Sequence, residues 1–267
     1  MSQEVKKPFI SGLVEGSIDV KVYQDILQTH AKECITLLDF ANVAITNVDQ
    51  RTISRAEFTE CEISPFHHHE YDCDVQQDPL FLRKPSTPRF SIQKADFSAI
   101  QTMLVNSFSP AHDERRPYPS AGGLYPVEPL VFLFQERLES RQEIISGAYH
   151  FRPVSKALQL IKKIPTTYFF DKLLHGLIAP DSYPCFAILY VAHLGKAIFK
   201  YRYRGYRQAV MEAGSMYQQA MFTSQQMGFR STVWSTFGEH EVLYALDLDY
   251  GTYMPLTMQL FGYGELE

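Results

Sequence analysis

Two segments gather residue types that could act on a ligand. In RRPYPSAGGLYP (residues 115–126), Gly122 and Gly123 would let the backbone approach a flat ligand closely, because no Cβ intervenes. Ser120 offers a hydroxyl, and Arg115 and Arg116 offer guanidinium forks that pair with phosphate. The same composition also suits a proline- and glycine-rich surface turn. In KAIFKYRYRGYR (residues 196–207), five cations alternate with Tyr201, Tyr203 and Tyr206. Three chemistries fit that run. Tyrosines and cations could stack on and neutralise a nucleic acid. They could form an ordinary solvated helix face. Or Lys200 could lower the pKa of its neighbour Tyr201 and make the phenol a usable base. The last reading requires a loop or distorted turn, since adjacent residues diverge on a regular helix.

Other site chemistries find no support. The chain has no G-x-G-x-x-G after a strand, no G-x-x-x-x-G-K-[ST] and no G-x-S-x-G, which disfavours a Rossmann site, a P-loop and a serine-hydrolase elbow. The run His67-His68-His69, with Glu70, Asp72 and Cys73 after it, lacks zinc-module spacing and reads as a solvated loop, so no metal is expected. Cys34, Cys61, Cys73 and Cys185 are scattered and read as reduced thiols. A net charge of -5 argues against nucleic acid as a partner. No secretory signal is read at the start of the sequence, and no apolar run is long enough for a membrane span, so a soluble cytoplasmic protein is expected.

The elements that must position these segments follow from periodicity. Residues 18–44 have helix-compatible apolar spacing, and the proline-rich stretch 60–89 reads as an irregular connection. Lys94–Phe108 reads as a helix that Ser91 or Asp96 could cap. Leu130–Gln135, Ala148–Val154, STVWSTF and PLTMQLFG read as strands, and Cys185–Leu194 as a strand buried on both faces. The longest helix runs from about Tyr203 to Met227 and ends at Gly228. Its stripe contains Ala209, Val210, Ala213, Met216, Tyr217, Ala220 and Met221, and Gly214 is read as a close helix contact. Helices and strands without strict alternation point to α+β. The chain divides into an N-terminal helical region with the connection (residues 1–80) and a larger domain (81–267). The 16 Tyr and 19 Phe suit a core, an interface or a flat-ligand pocket.

Together, PSAGGLYPVEP and FKYRYRGYRQAVMEAGSMYQQA resemble the SagB-type azoline dehydrogenases of the FMN-dependent nitroreductase superfamily. Within that branch they look like the dehydrogenase subunits of microcin synthetases. The likeness runs from about Arg83 to Phe261; the KYRYRGYR run is specific, whereas PSAGG alone is only suggestive. It implies an FMN-binding nitroreductase fold, with a mixed or antiparallel sheet flanked by helices, and a homodimer with flavin at its interface. It also implies oxidation of thiazolines and oxazolines in a ribosomally made precursor peptide, beside cyclodehydratase subunits of the same synthetase. A Lys-Tyr pair in a central loop serves the chemistry in that family, and Lys200 and Tyr201 match it. RKPSTPRF stands where the family holds the flavin phosphate, which makes Arg83, Ser86 and Arg89 candidates, although prolines interrupt the usual pattern. Ser120, Gly122 and Gly123 would lie beside the isoalloxazine, and Trp234 and Ser235 of VWSTF would approach from the other side. Many relatives carry glycine at the position of Ser235 or Thr236.

Aromatising an azoline removes a Cα proton and a hydride, so the protein must supply a base and the flavin the electron acceptor. A free tyrosine titrates at ~10, too high for efficient base catalysis without a neighbouring cation. Tyr201 is therefore assigned as base and Lys200 as its electrostatic partner, with the exchanged roles left open. Two rivals remain on the same residues: a stand-alone NAD(P)H-dependent nitroreductase or quinone reductase, and a flavin-free scaffold subunit.

Overall fold

The computed structural model describes residues 15–34, 49–57, 71, 73, 75–87, 89–111, 114–174 and 182–264. The histidine run 67–69, Cys61 and the expected helical residues 35–44 lie outside them. Contacts separate two compact units, one within Met1–Leu37 and Lys84–Glu267 and a smaller one within Leu38–Arg83. The helices are α1 (Val20–Ala31), α2 (Gln50–Glu57), α3 (Phe97–Phe108), a single turn α4 (Thr166–Tyr168), α5 (Leu194–Tyr201), α6 (Tyr203–Gln226) and α7 (Glu239–Ala245). The strands are β1 (Ala95–Asp96), β2 (Val127–Leu133), β3 (Leu138–Glu139), β4 (Gly147–Arg152), β5 (Ala157–Lys163), β6 (Phe186–His193), β7 (Arg230–Trp234) and β8 (Tyr253–Gly262).

Six strands form one sheet in the order β5-β4-β2-β6-β8-β7, and every pairing in it is antiparallel. β1 and β3 form a short parallel pair. This is the α+β arrangement expected from the sequence. The run FAILYVAH explains why β6 sits at the centre: all of its residues are buried, as a strand covered on both faces requires. Phe186, Ile188, Tyr190 and Ala192 face a core built with α3, α5 and α6. Ala187, Leu189 and Val191 face a second core, with Phe169, Phe170 and Leu173 of a π-turn and Val242 of α7. Phe132, Phe134, Phe169 and Phe170 pack there as a continuous aromatic pile, with ring centroids 4.7–5.0 Å apart.

The capping residues are legible in the sequence. Asp96 takes extended backbone angles and accepts the Ser98 N–H at 2.9 Å, which starts α3. His193 does the same for α5, its Nδ1 accepting the Lys196 N–H at 3.2 Å. α6 ends as expected, with Gly228 at φ 84° just beyond it.

Two expectations need correction, and helix α1 packs within the larger compact unit. Val22 and Ile26 of α1 are buried in the first core, and that apolar seam joins the helix to the unit containing residues 84–267. Val210 is 45% exposed and leaves the α6 stripe, which runs through Ala209, Ala213, Met216 and Ala220 at helical spacing. The close helix contact is at Gly205, not Gly214: a Cβ on Gly205 would collide with the Ala197 carbonyl, whereas one on Gly214 meets nothing nearer than 3.9 Å. Strand β5 and helix α2 were not foreseen, because ALQLIKK and QRTISRAE bury little and show no clear periodicity.

Gly205→Ala should therefore destabilise the fold by about 1–3 kcal/mol, the usual range for overpacking. Gly214→Ala should be neutral or slightly stabilising. Denaturant unfolding of the two variants checks the ordering.

Candidate active site

The expected reactive pair lies in the last turn of α5, not in a loop. The helix then breaks at Arg202, whose φ of 51° and ψ of −132° put a non-glycine residue in a sparsely populated region. The break keeps its hydrogen bonds, since the Arg202 N–H donates to the Ile198 carbonyl at 2.7 Å and the Gly205 N–H to the Arg202 carbonyl at 2.9 Å. It directs the chain from α5 into α6, and the Lys200 Nζ lies 5.2 Å from the Tyr201 ring centroid. The distortion follows the pair and does not lie within it, so both side chains leave a helix end, not the loop or distorted turn expected.

Helix α1 spans the break. The Arg202 guanidinium pairs with Asp19 at 2.8 Å, the Tyr203 hydroxyl donates to Asp25, and the Tyr206 hydroxyl lies 3.4 Å from both His30 Nδ1 and Glu33. Asp19 also caps α1, so one carboxylate starts the helix and holds the break. Burial, with His240 nearby, lowers the His30 pKa to about 4.

The glycine segment meets the pair directly. Gly122 has φ 64°, and a Cβ there would stand 2.5 Å from the Tyr201 hydroxyl and 3.2 Å from the Lys200 Nζ. Gly123 has φ 65°, and its would-be Cβ meets nothing within 4 Å. One glycine is thus closed against the pair, and the next faces open space. Ser120 donates to Glu212 of α6 and accepts the Tyr125 N–H at 2.8 Å. The other Glu212 oxygen accepts the Val127 N–H at 3.3 Å. Burial raises the Glu212 pKa to about 7, against the opposing pull of the Ser120 and Val127 hydrogen bonds and the charges of Arg116 and Lys196.

Arg116 is engaged inside its own segment. Its guanidinium lies 4.2 Å over the Tyr125 ring and donates to the Tyr118 hydroxyl at 2.9 Å. Behind it, Glu128 of β2 contacts Lys196 of α5 at 3.3 Å and His150 of β4 at 3.2 Å. Burial works to raise the Glu128 pKa, but the hydrogen bond from His150 and the charge of Lys196 outweigh it and hold the group below the usual value.

The structure thus brings Ser120, Gly122, Lys200 and Tyr201 together, with Arg116 behind them. Arg115 is exposed on the same segment. The remaining candidates lie elsewhere in the chain. Ser86 and Arg89 are exposed, and Arg89 is followed by Phe90, which is buried in the second core against Gly262. Arg83 belongs to the smaller unit. Trp234 packs against the second core and donates to the Thr236 carbonyl at 2.8 Å, with Ser235 exposed beside it. The sequence reading missed Glu212, Glu128 and Lys196. One signal pointed to Glu212: it is an acid at helical spacing among the buried Gly205, Ala209 and Met216. Among the described residues no His, Cys, Asp and Glu cluster could hold a metal, and no helix is long and apolar enough to cross a membrane.

Comparison with known proteins follows the same residues. The model of the nitroreductase family matches residues 89–263. The microcin B17-processing protein McbC of Escherichia coli is 39% identical over 171 residues, which cover 63% of this chain and 62% of that relative, less than two thirds of its length. A chain of the E. coli microcin synthetase McbBCD complex with truncated pro-MccB17 bound matches with a TM-score of 0.84 and 31% identity, over 96% of this chain and 98% of that one. A nitroreductase-type protein of Ralstonia eutropha shares the fold, with a TM-score of 0.58 at 18% identity over 74% and 89% of the two chains.

Two tests follow from this geometry. Gly122→Ala should displace Tyr201 and strain the backbone, costing about 1–2 kcal/mol of stability, as read by thermal unfolding. His30 has a folded pKa below its unfolded value, so the unfolded chain takes up its proton first. Its contribution is complete above pH ~6.5 and declines towards pH ~4, by at most about 1.4 kcal/mol per pH unit. His30→Gln should flatten that part of the stability–pH curve.

Proposed function

Because the chain belongs to the nitroreductase family, we propose that it is an FMN-dependent dehydrogenase that oxidises thiazoline and oxazoline rings in a microcin-type precursor peptide. On this reading it acts as a subunit of a cytoplasmic synthetase, beside the cyclodehydratase that makes the rings. The observation that carries the reading is the contact of Gly122 with Tyr201 and Lys200, which sets a base and a cation against a backbone with open space at Gly123. The likeness to McbC, and to a chain of a complex that holds its peptide, supports the substrate class and the partners.

The residues fit a flavin. Gly123 offers a face that no side chain fills, Gly122 allows the backbone to lie flat, and Arg115 is an exposed cation on the same segment. When bound, FMN supplies the two-electron acceptor for the hydride. Tyr201 takes the Cα proton, and Lys200 holds the negative charge that develops on the phenol oxygen. Ser120 and Gly122 set the position of the loop against Tyr201 and Lys200. Ser86, Arg89, Trp234 and Ser235 would contribute to holding the same cofactor, and on this reading the working unit is a homodimer with FMN at its interface. The flavin-binding domain then covers residues 81–267, with α1 bracing it.

Purified protein should be yellow, with an isoalloxazine absorbance band. Tyr201→Phe and Lys200→Ala should keep that band and lower azole formation at least ~100-fold, the scale of general base catalysis, as followed by the mass loss of two hydrogens per ring. Bleaching of the flavin by NADPH alone, with no azole product, would identify a stand-alone reductase instead.

A further inference from the structure

The loop from Ser120 to Val127 touches Tyr201 at Gly122 but is only partly packed against the helices beneath it. A small cavity separates its Ala121 and Leu124 from Ala197, Tyr201 and Gly205 of the two helices. Gln208 also lines this space, and its Oε1 is buried with no hydrogen-bond partner among the described residues. Gly122 abuts Tyr201, but packing beside it, under Ala121 and Leu124, is incomplete and does not by itself hold the loop in place. One side chain ties both ends of the loop to α6. Glu212 is 3% exposed, and its two oxygens accept from Ser120 and from the Val127 N–H. Because the Ser120 proton points to the carboxylate, Ser120 Oγ is free to accept the Tyr125 N–H at 2.8 Å.

We propose that Glu212 is a positioning residue for the reaction: its doubly accepting carboxylate fixes the Gly122 backbone against Lys200-Tyr201. The proposal rests on the dehydrogenase reading above. A carboxylate is required because only it accepts at both atoms. A glutamine would present an N–H₂ to Ser120 and reverse that bond. A buried carboxylate is costly unless it is well partnered, and here Arg116 and Tyr118 face it from the preceding segment. Glu128 faces it from β2, Lys196 and Tyr201 from α5 and Gln208 from α6, with His150 and His193 behind Glu128. The cations favour the charged, doubly accepting form. When the carboxylate is protonated, one acceptor becomes a donor and the loop loses a tie, so turnover should fall as pH drops below neutrality.

The test uses the flavin-loaded protein in its synthetase with E212A, E212Q, S120A and the E212A/S120A double variant. Melting temperature, flavin absorbance, kcat per bound flavin and peptide KM are measured between pH 5.5 and 8.5. E212A should lower kcat per flavin at least tenfold, leave KM within twofold, shift the flavin band and remove the acid limb of the pH profile. E212Q should recover part of kcat but not the acid limb. S120A should give a smaller loss, and the double variant should be no worse than E212A. If E212A does not fold, a threefold or larger fall in kcat per flavin in both E212Q and S120A supports the proposal, and unchanged values overturn it. A lower melting temperature with unchanged kcat per flavin and an unmoved flavin band overturns it and makes Glu212 merely structural. If the wild type makes no azole but E212A still shifts the flavin band, the dehydrogenase reading fails and the positioning role stands.

Discussion

The site depends on one backbone constraint, the break at Arg202. In an unbroken helix from Leu194 to Gln226 the chain would run on past Tyr201; the break instead ends α5 at the reactive pair and turns the chain into α6, so that the pair stands at a helix end where the Gly122 loop meets it. The break costs something, since a non-glycine residue at φ 51° stores on the order of 1–3 kcal/mol. Strain of this kind persists only where the surroundings over-determine it. Here α5 is anchored in the first core by Leu194, Ala197 and Ile198, and α6 by Ala209, Ala213 and Met216. Gly205 lets the two helices close on each other just past the break. The polar contacts from α1 are mostly exposed and individually weak. They matter as a bracket across a geometry that the first core already imposes.

A second constraint operates behind the glycine loop, where charges are buried in pairs. Glu128 on β2 joins Lys196 at the start of α5 and His150 on β4, linking the sheet to the helix that carries the reactive pair. Glu212 lacks so close a cation, and its raised pKa records that difference. Two buried carboxylates in one neighbourhood are thus pushed in opposite directions, Glu128 down and Glu212 up. The paired one is a rigid joint. The one near neutrality is where a change of pH would first be felt.

Much of this was legible in the sequence, and for identifiable reasons. β6, α3 and α6 announce themselves through continuous or periodic apolar runs, and Asp96 and Gly228 mark two helix ends by residue type alone. The two segments rich in chemistry were also visible, and the structure places them in contact. What was not legible depends on tertiary partners. The break that follows Lys200-Tyr201 comes from a strained φ at an arginine, which no propensity foretells. Gly205 rather than Gly214 makes the close contact, because the helix crossing and not the glycine itself decides where a Cβ would clash. The pairing of Glu212 with Ser120 joins residues far apart in the chain, so only the fold reveals it. β5, as an edge strand with little to bury, gave no periodic signal.

The position of the site follows from the architecture. The central strand β6 is buried along its whole length, which leaves no room for a ligand over the middle of the sheet. The sheet also lacks the crevice that parallel doubly wound sheets open at a switch point. Loops and helix ends at the rim are where the candidate residues gather. The Gly122 loop and the end of α5 form such a rim on the side of the first core, while Arg89 and Trp234 adjoin the second core. One chain therefore presents its candidate cofactor residues on two sides of a closed sheet. For a flat cofactor to engage both sets on the proposed reading, the second set has to come from another subunit. On the proposed reading, that division between the two cores is what a site at a subunit boundary would bridge.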